Sequence, residues 1–332
     1  MFIFNCEVHM DQPSDDIDYF PPKQQYTRCY YGYIHLQPRV YYGAWEYEAK
    51  KDLEREIAHH KLVKDADLMI KCMDEAGVDM CCVVPHAMPE LSYGARVRTT
   101  NGWLVKQVSK YPERLVAVAT FDPILQRGVK NAIWELEYLV KEANVRAVKF
   151  YPPDTNPVDS PEMWPFYEKL QELGVPIFIH MGANYLLGRT ANCLPWLLEP
   201  VCEDFPELTI LAYHMGYPFT DIMNVLAAKY PNLYIGTSML PIWGGGISKR
   251  SQILVAEALM WAGPDKVIWG TDRFSSPGFF EREVAVLEKL QISEDLQRDY
   301  GYPPITDEVR AKWAGLNLAR ILKVEPKKFA PK

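Results

Sequence analysis

Three things are scarce in this sequence: an excess of positive charge, long uncharged apolar runs, and cysteines spaced as a disulfide framework would need them. With 36 Lys and Arg against 43 Asp and Glu, the formal net charge is -7. A nucleic-acid backbone would meet a surface of mostly its own sign, so no nucleic-acid partner is expected. No stretch reaches the roughly 18 uncharged apolar residues that a membrane-spanning helix requires, because charge or proline breaks each candidate; no membrane association is expected. The opening MFIFNCEVHMDQ lacks a basic start and a long apolar stretch, and it places Glu7 where a secretory signal would still be hydrophobic. The seven cysteines are odd in number, and Cys6, Cys72, Cys81 and Cys82 sit inside apolar runs. That reads as core in a reducing cytoplasm rather than as disulfides.

What is present is the composition of a globular enzyme, 48% hydrophobic and 24% charged. Short runs rich in Val, Ile, Phe and Tyr alternate with longer amphipathic stretches, the pattern of repeated βα units. Strands are predicted at 2–6, 79–84, 115–121, 145–151, 176–180, 208–214, 233–237 and 266–270. Helices are predicted at 65–76, 128–142, 160–173 and 219–230, where apolar residues recur at i, i+3 and i+4. Eight such units favour a single α/β domain over residues 1–332, a closed (β/α)8 TIM barrel rather than an open doubly wound sheet. Residues 11–64 form a long insertion after strand one, dense in Tyr, Pro and charge, with a helix expected over 46–64. Its aromatics suit a lid over the barrel mouth or a subunit contact, and the latter would make a homo-oligomer.

Active sites of such barrels collect at the C-terminal ends of the strands. The polar residues expected there are Glu7 and His9 after strand one, Lys149 closing strand four, His180 ending strand five, His214 ending strand six and Asp272 after strand eight. In Glu7-Val8-His9 the period-two alternation of an extended chain sends both ligand-type side chains to one side, where they can reach a single ion. Imidazole and carboxylate suit zinc, and also manganese, iron or cobalt. One histidine at a strand end is as often a plain hydrogen-bonded residue as a ligand; the coincidence of several such ends carries the metal reading.

Beyond those residue types, the chain resembles the amidohydrolase superfamily, in the amidohydrolase 2 branch that includes aminocarboxymuconate-semialdehyde and resorcylate-type decarboxylases. The matching pieces run from Glu7-Val8-His9 through Ile179-His180, Tyr213-His214-Met215-Gly216 and Trp269-Gly270-Thr271-Asp272 to Asn317-Leu318-Ala319-Arg320-Ile321-Leu322. The resemblance implies that Glu7, His9, His180 and Asp272 bind one divalent metal, zinc foremost, and that His214 works beside it. His214 and Asp272 are then the catalytic residues. The Glu-x-His form resembles the benzoate-type decarboxylases. The run His214-Met215-Gly216-Tyr217-Pro218-Phe219 departs from their Gly-x-Leu-Pro turn and is closer to members described as hydrolases.

Two reactions are therefore in view. One is non-oxidative decarboxylation of a hydroxylated aromatic or related unsaturated carboxylic acid, a small ring-containing substrate. The other is hydrolysis of a lactone, amide, thioester or C–C bond by metal-activated water. A non-catalytic binding barrel would lack metal ligands, and these are all in place. Lys149, His86, Asn184, Arg189, Trp243 and Arg273 are candidate substrate contacts, with Lys149 also able to sit behind the ligands. His59 and His60 fall on a charged face, His35 falls in the insertion, and Gly244-Gly245-Gly246 lacks the spacing of a phosphate-binding loop.

Overall fold

A computed structural model describes residues 1–10, 65–85, 99–184, 188–274 and 279–329. The insertion at 11–64, with its expected helix, His35, His59 and His60, lies outside the described residues, as does His86. The strands are β1 (Phe4–Met10), β2 (Met80–Pro85), β3 (Leu115–Thr120), β4 (Ala147–Phe150), β5 (Ile177–Ile179), β6 (Ile210–Ala212), β7 (Leu233–Gly236), β8 (Val267–Ile268) and β9 (Arg273–Phe274). All pair in parallel in the order β8-β7-β6-β5-β4-β3-β2-β1-β9. β8 and β9 are two pieces of one eighth strand. The first pairs with β7 through Gly236 and Ile268, and the second pairs with β1 through Val8 and Arg273, so the sheet rolls into a barrel.

Among the described residues, helices alternate with the strands, chief among them α1 (Ala66–Ala76), α2 (Asn101–Val108), α3 (Val129–Glu142), α4 (Trp164–Leu173), α5 (Glu199–Asp204), α6 (Thr220–Lys229), α7 (Lys249–Ala262) and α8 (Phe279–Lys289). Local chemistry sets their ends. The Asp65 carboxylate accepts from the Leu68 amide at 3.0 Å to start α1, and Gly77 stops it in the left-handed region at φ 73°. Thr100 caps α2 and Ser248 caps α7 in the same way.

Alternation along each strand divides the core in two. Val8, Met10, Val83, Ala117, Val148, Phe150, Ile179 and Ile235 pack outward beneath the helices. Phe4, Cys6, Cys82, Val118, Phe178, Leu211 and Ile268 fill the barrel interior, together with Leu318, Ala319 and Leu322 of the last helix. The Asn317-to-Leu322 motif is thus a structural plug: Asn317 Nδ2 donates to the Pro264 and Val267 carbonyls at 2.8 and 2.9 Å, tying the plug to β8. The six described cysteines are free and buried, in line with a core reading. Among the described residues, no helix is long and apolar enough to cross a membrane.

Most strands are a residue or more shorter than the sequence reading, the helix expected at 160–173 begins at Trp164, and two of the differences bear on the site. β1 begins later and runs through Met10, so Glu7 and His9 lie within the strand rather than after it; β2 and β9 supply partners up to that point. β6 ends at Ala212, because Tyr213–Gly216 curls into a helical turn with His214 at φ 60° and Met215 at φ 56°.

Candidate metal centre

A register irregularity between Asn5 and Val8 in β1 changes which side chains face inward. Phe4 and Cys6 point into the barrel, Val8 points out, and Glu7 and His9 flank Val8 on the inner side. From β4, Lys149 lies between the outward Val148 and Phe150. From β5, His180 follows the outward Ile179, and both therefore enter the same interior.

The ligand atoms of Glu7, His214 and Asp272 lie within 4.8 Å of one another. His9 joins them through Asp272: its Nε2 is 3.0 Å from Asp272 Oδ1, while its Nδ1 lies 3.2 Å from the Val84 carbonyl. Each ring nitrogen of His9 thus faces an acceptor, a carbonyl on one side and a carboxylate on the other, and a metal ion would take Nε2 in place of its contact with Asp272. Glu7 Oε1 accepts from Lys149 Nζ at 2.6 Å, whereas Glu7 Oε2 is buried without a hydrogen-bond partner among the described residues. A buried, unpartnered carboxylate oxygen is costly. Its neighbourhood of a second carboxylate and imidazoles is a donor set that fits a divalent cation.

His180 sits at the margin of this group. Its ring packs against His214 with centroids 4.6 Å apart and against Tyr151 at 4.7 Å, and its Nε2 lies 3.2 Å from the Ala183 carbonyl. The loop that carries it crosses the β6 turn. Gly182 has φ 89°, and a Cβ there would sit 2.2 Å from the Tyr217 carbonyl oxygen, so only glycine allows the two loops to touch. Asp272 and His214 both have positive φ, 55° and 60°, a conformation rare outside glycine. Their clustering at one mouth matches the strain stored at functional sites.

Burial holds the His180 imidazole well below its ordinary pKa, with the His214 and Lys149 charges adding to the effect. Burial also lowers His214, although the Glu7 and Asp272 carboxylates oppose it. Both shifts favour the neutral imidazole, the form in which a ring nitrogen can ligate a metal. For Asp272 burial favours the protonated form, but the His9 hydrogen bond and the nearby positive charges outweigh it and hold the carboxyl well below the usual range.

Of the candidate substrate contacts, Lys149 is taken up by Glu7, and Asn184 Oδ1 accepts from the Tyr151 hydroxyl at 2.8 Å beside His180. Arg189 is exposed, with its backbone N–H on the Pro153 carbonyl. The side chains of Trp243 and Arg273 lie outside the described part. Sequence reasoning missed Ser238, buried and 3.0 Å from His214 Nδ1, and Tyr213, whose ring lies 3.9 Å from Lys149 Nζ. Tyr213 stands in the motif around His214 and could have been found there; Ser238 follows β7 with no local signal.

Residues 58–324 match the sequence model of the amidohydrolase family. The chain is 25% identical over 268 residues to a gamma-resorcylate decarboxylase of Polaromonas, covering 64% of this chain and 78% of that one. It is 26% identical over 259 residues to a dihydroorotase of Yersinia pseudotuberculosis, covering 60% and 73%. Among solved structures, an uncharacterised TIM-barrel protein of Bordetella bronchiseptica superposes with TM-score 0.69 at 18% identity, over 97% of this chain and 99% of that one. A 5-carboxyvanillate decarboxylase of Sphingomonas paucimobilis gives 0.63 at 19% over 98% and 99%. A dihydroxybenzoic acid decarboxylase of Polaromonas, solved with manganese and 2-nitroresorcinol, gives 0.59 at 18% over 97% of each chain. These likenesses bear out the barrel.

Proposed function

The chain belongs to the amidohydrolase family, and from that premise we propose that it is a metal-dependent, non-oxidative decarboxylase of a hydroxylated aromatic or related unsaturated carboxylic acid. The observation that carries this reading is the Glu7-Val8-His9 pair on β1, with Glu7 Oε2 buried and open beside Asp272 and His214. The likeness to a gamma-resorcylate decarboxylase, and the manganese and ring ligand in a structural neighbour, support it. Glu7, His9, His180 and Asp272 are the proposed holders of one divalent ion, zinc or manganese. Such an ion would supply positive charge that stabilises the charge developing as the C–C bond breaks.

The protein's own groups do the rest. The bond to the carboxylate breaks, its electron pair stays on carbon, carbon dioxide leaves, and a proton is delivered to that carbon. His214 is the proposed carrier: with its Nδ1 engaged by Ser238, it takes up a proton from solvent, hands it from Nε2 to that carbon and returns to the neutral imidazole. The Tyr151 ring, held by Asn184, forms an apolar wall beside His180. The free cysteines go with a cytoplasmic location, and exposed Trp134 and Tyr138 on α3 go with a homo-oligomer.

The dihydroorotase relatives favour a second reading, hydrolysis of a cyclic amide or lactone at the same residues. Incubating manganese- or zinc-loaded protein with hydroxybenzoates, lactones and cyclic amides while following carbon dioxide separates the two. Carbon dioxide from a hydroxybenzoate is the expected result; ring opening without it would replace the first reading with the second.

A further inference from the structure

We propose that Lys149 is a permanent counter-ion of Glu7, a positioning residue that takes up one carboxylate oxygen and leaves the other as the sole Glu7 donor to a single metal ion. The inference rests on the metal reading above. Lys149 Nζ lies 2.6 Å from Glu7 Oε1, and the two side chains are only 7% and 1% exposed. Solvent therefore cannot substitute for either partner. The ammonium is held from a second side by the Tyr213 ring face at 3.9 Å. Tyr213 is itself anchored, since its hydroxyl donates to the Cys6 carbonyl at 2.8 Å, next to Glu7 on β1.

Two consequences follow. With Oε1 engaged, only the unpartnered Oε2 remains for an ion, and a fixed ammonium stands on the β4 side where a second cation would otherwise approach. The sign of the coupling also differs from that of an ordinary support. A hydrogen-bond acceptor behind a ligand raises its basicity and strengthens metal binding. A cation on a ligand carboxylate withdraws charge from it and repels the ion, so Lys149 weakens binding while fixing geometry. Its removal leaves Glu7 as an uncompensated buried charge that the metal alone can neutralise.

The test is to strip the protein with chelator and titrate it with Mn²⁺, following heat and the electron paramagnetic signal. One ion per wild-type chain is expected, with Lys149→Met binding it roughly tenfold more tightly, an effect of the size outer-shell changes usually have but of opposite sign because a like charge is removed, and Lys149→Arg returning to the wild-type value. A lysine that merely braced the fold would do the reverse on removal. If Lys149→Met does not fold, Lys149→Gln, which keeps a donor for Oε1 without the charge, carries the same comparison. Two ions per wild-type chain, or a folded variant with unchanged or weaker affinity, overturns the proposal. No Mn²⁺ bound by the wild type would overturn the metal reading and this inference together. One ion with an unaltered Lys149→Met affinity sinks this inference alone.

Discussion

His180 and His214 pose the sharpest question about single residues, because their rings touch while their proposed roles differ. His180→Ala is expected to lose both metal and turnover. His214→Ala is expected to keep the metal and lose about 10²- to 10⁴-fold in rate, the usual worth of a positioned proton-transfer group. Metal content by elemental analysis, set beside kcat, decides it; the opposite pattern would make His214 the ligand and His180 its neighbour. A second residue is informative away from the ligands. Burial pushes the Asp122 carboxyl up to about 7 from its ordinary 3.8, against the lowering pull of the Tyr151 N–H, the Thr120 hydroxyl, Lys149 and Arg127. The folded chain thus holds this proton more tightly than the unfolded one, so the cost of ionising it grows from about pH 3.8 and is complete above about 7. Asp122→Asn keeps an acceptor for the Tyr151 amide and removes the charge. Its melting temperature should exceed that of the wild type at pH 8, with the advantage closing toward pH 4. A gap constant with pH would show that the titration is not its cause.

At the scale of elements, the βα alternation was legible because each helix has an apolar stripe and each strand a short β-branched or aromatic run. α1, α3 and α6 fall within a residue of where periodicity put them, at Ala66–Ala76, Val129–Glu142 and Thr220–Lys229. Legibility stopped where tertiary pairing overrides local pattern. Glu7 and His9 read as loop residues because charge after an apolar run marks a strand end, yet β2 and β9 pair beside them and keep the chain extended. The eighth strand is split by Gly270-Thr271-Asp272, and its second piece, Arg273–Phe274, is too short to carry a periodicity. Likewise the turn at His214 depends on left-handed backbone at residues that are not glycine, which no local preference announces. Ser238 could not be paired with His214 from sequence, since the two belong to different βα units and meet only across the barrel mouth.

For the molecule as a whole, the barrel separates stability at its base from chemistry at its mouth. Trp313 is the hinge of that separation. It is buried to 1% exposure, its indole N–H donates to Thr237 Oγ1 at 2.9 Å, and its carbonyl accepts from the Trp269 amide at 2.9 Å. It therefore joins the C-terminal plug to β7 and to the start of the Trp269–Asp272 motif. Replacing it by Ala removes a large aromatic from a packed interior that cannot close over the gap, a loss of about 3–5 kcal/mol. The proposed ligands on β1 and after β8 are held by other contacts, among them the Asp272 amide on the Glu7 carbonyl at 2.9 Å and the Asn5 amide on Thr271 Oγ1 at 2.9 Å. Trp313→Ala should accordingly melt well below the wild type while the folded fraction still binds one ion per chain with unchanged affinity. Calorimetry and Mn²⁺ titration on the same sample check both halves. Weakened metal binding in folded protein would mean that the plug tunes the site through Trp269, and that base and mouth are one cooperative unit.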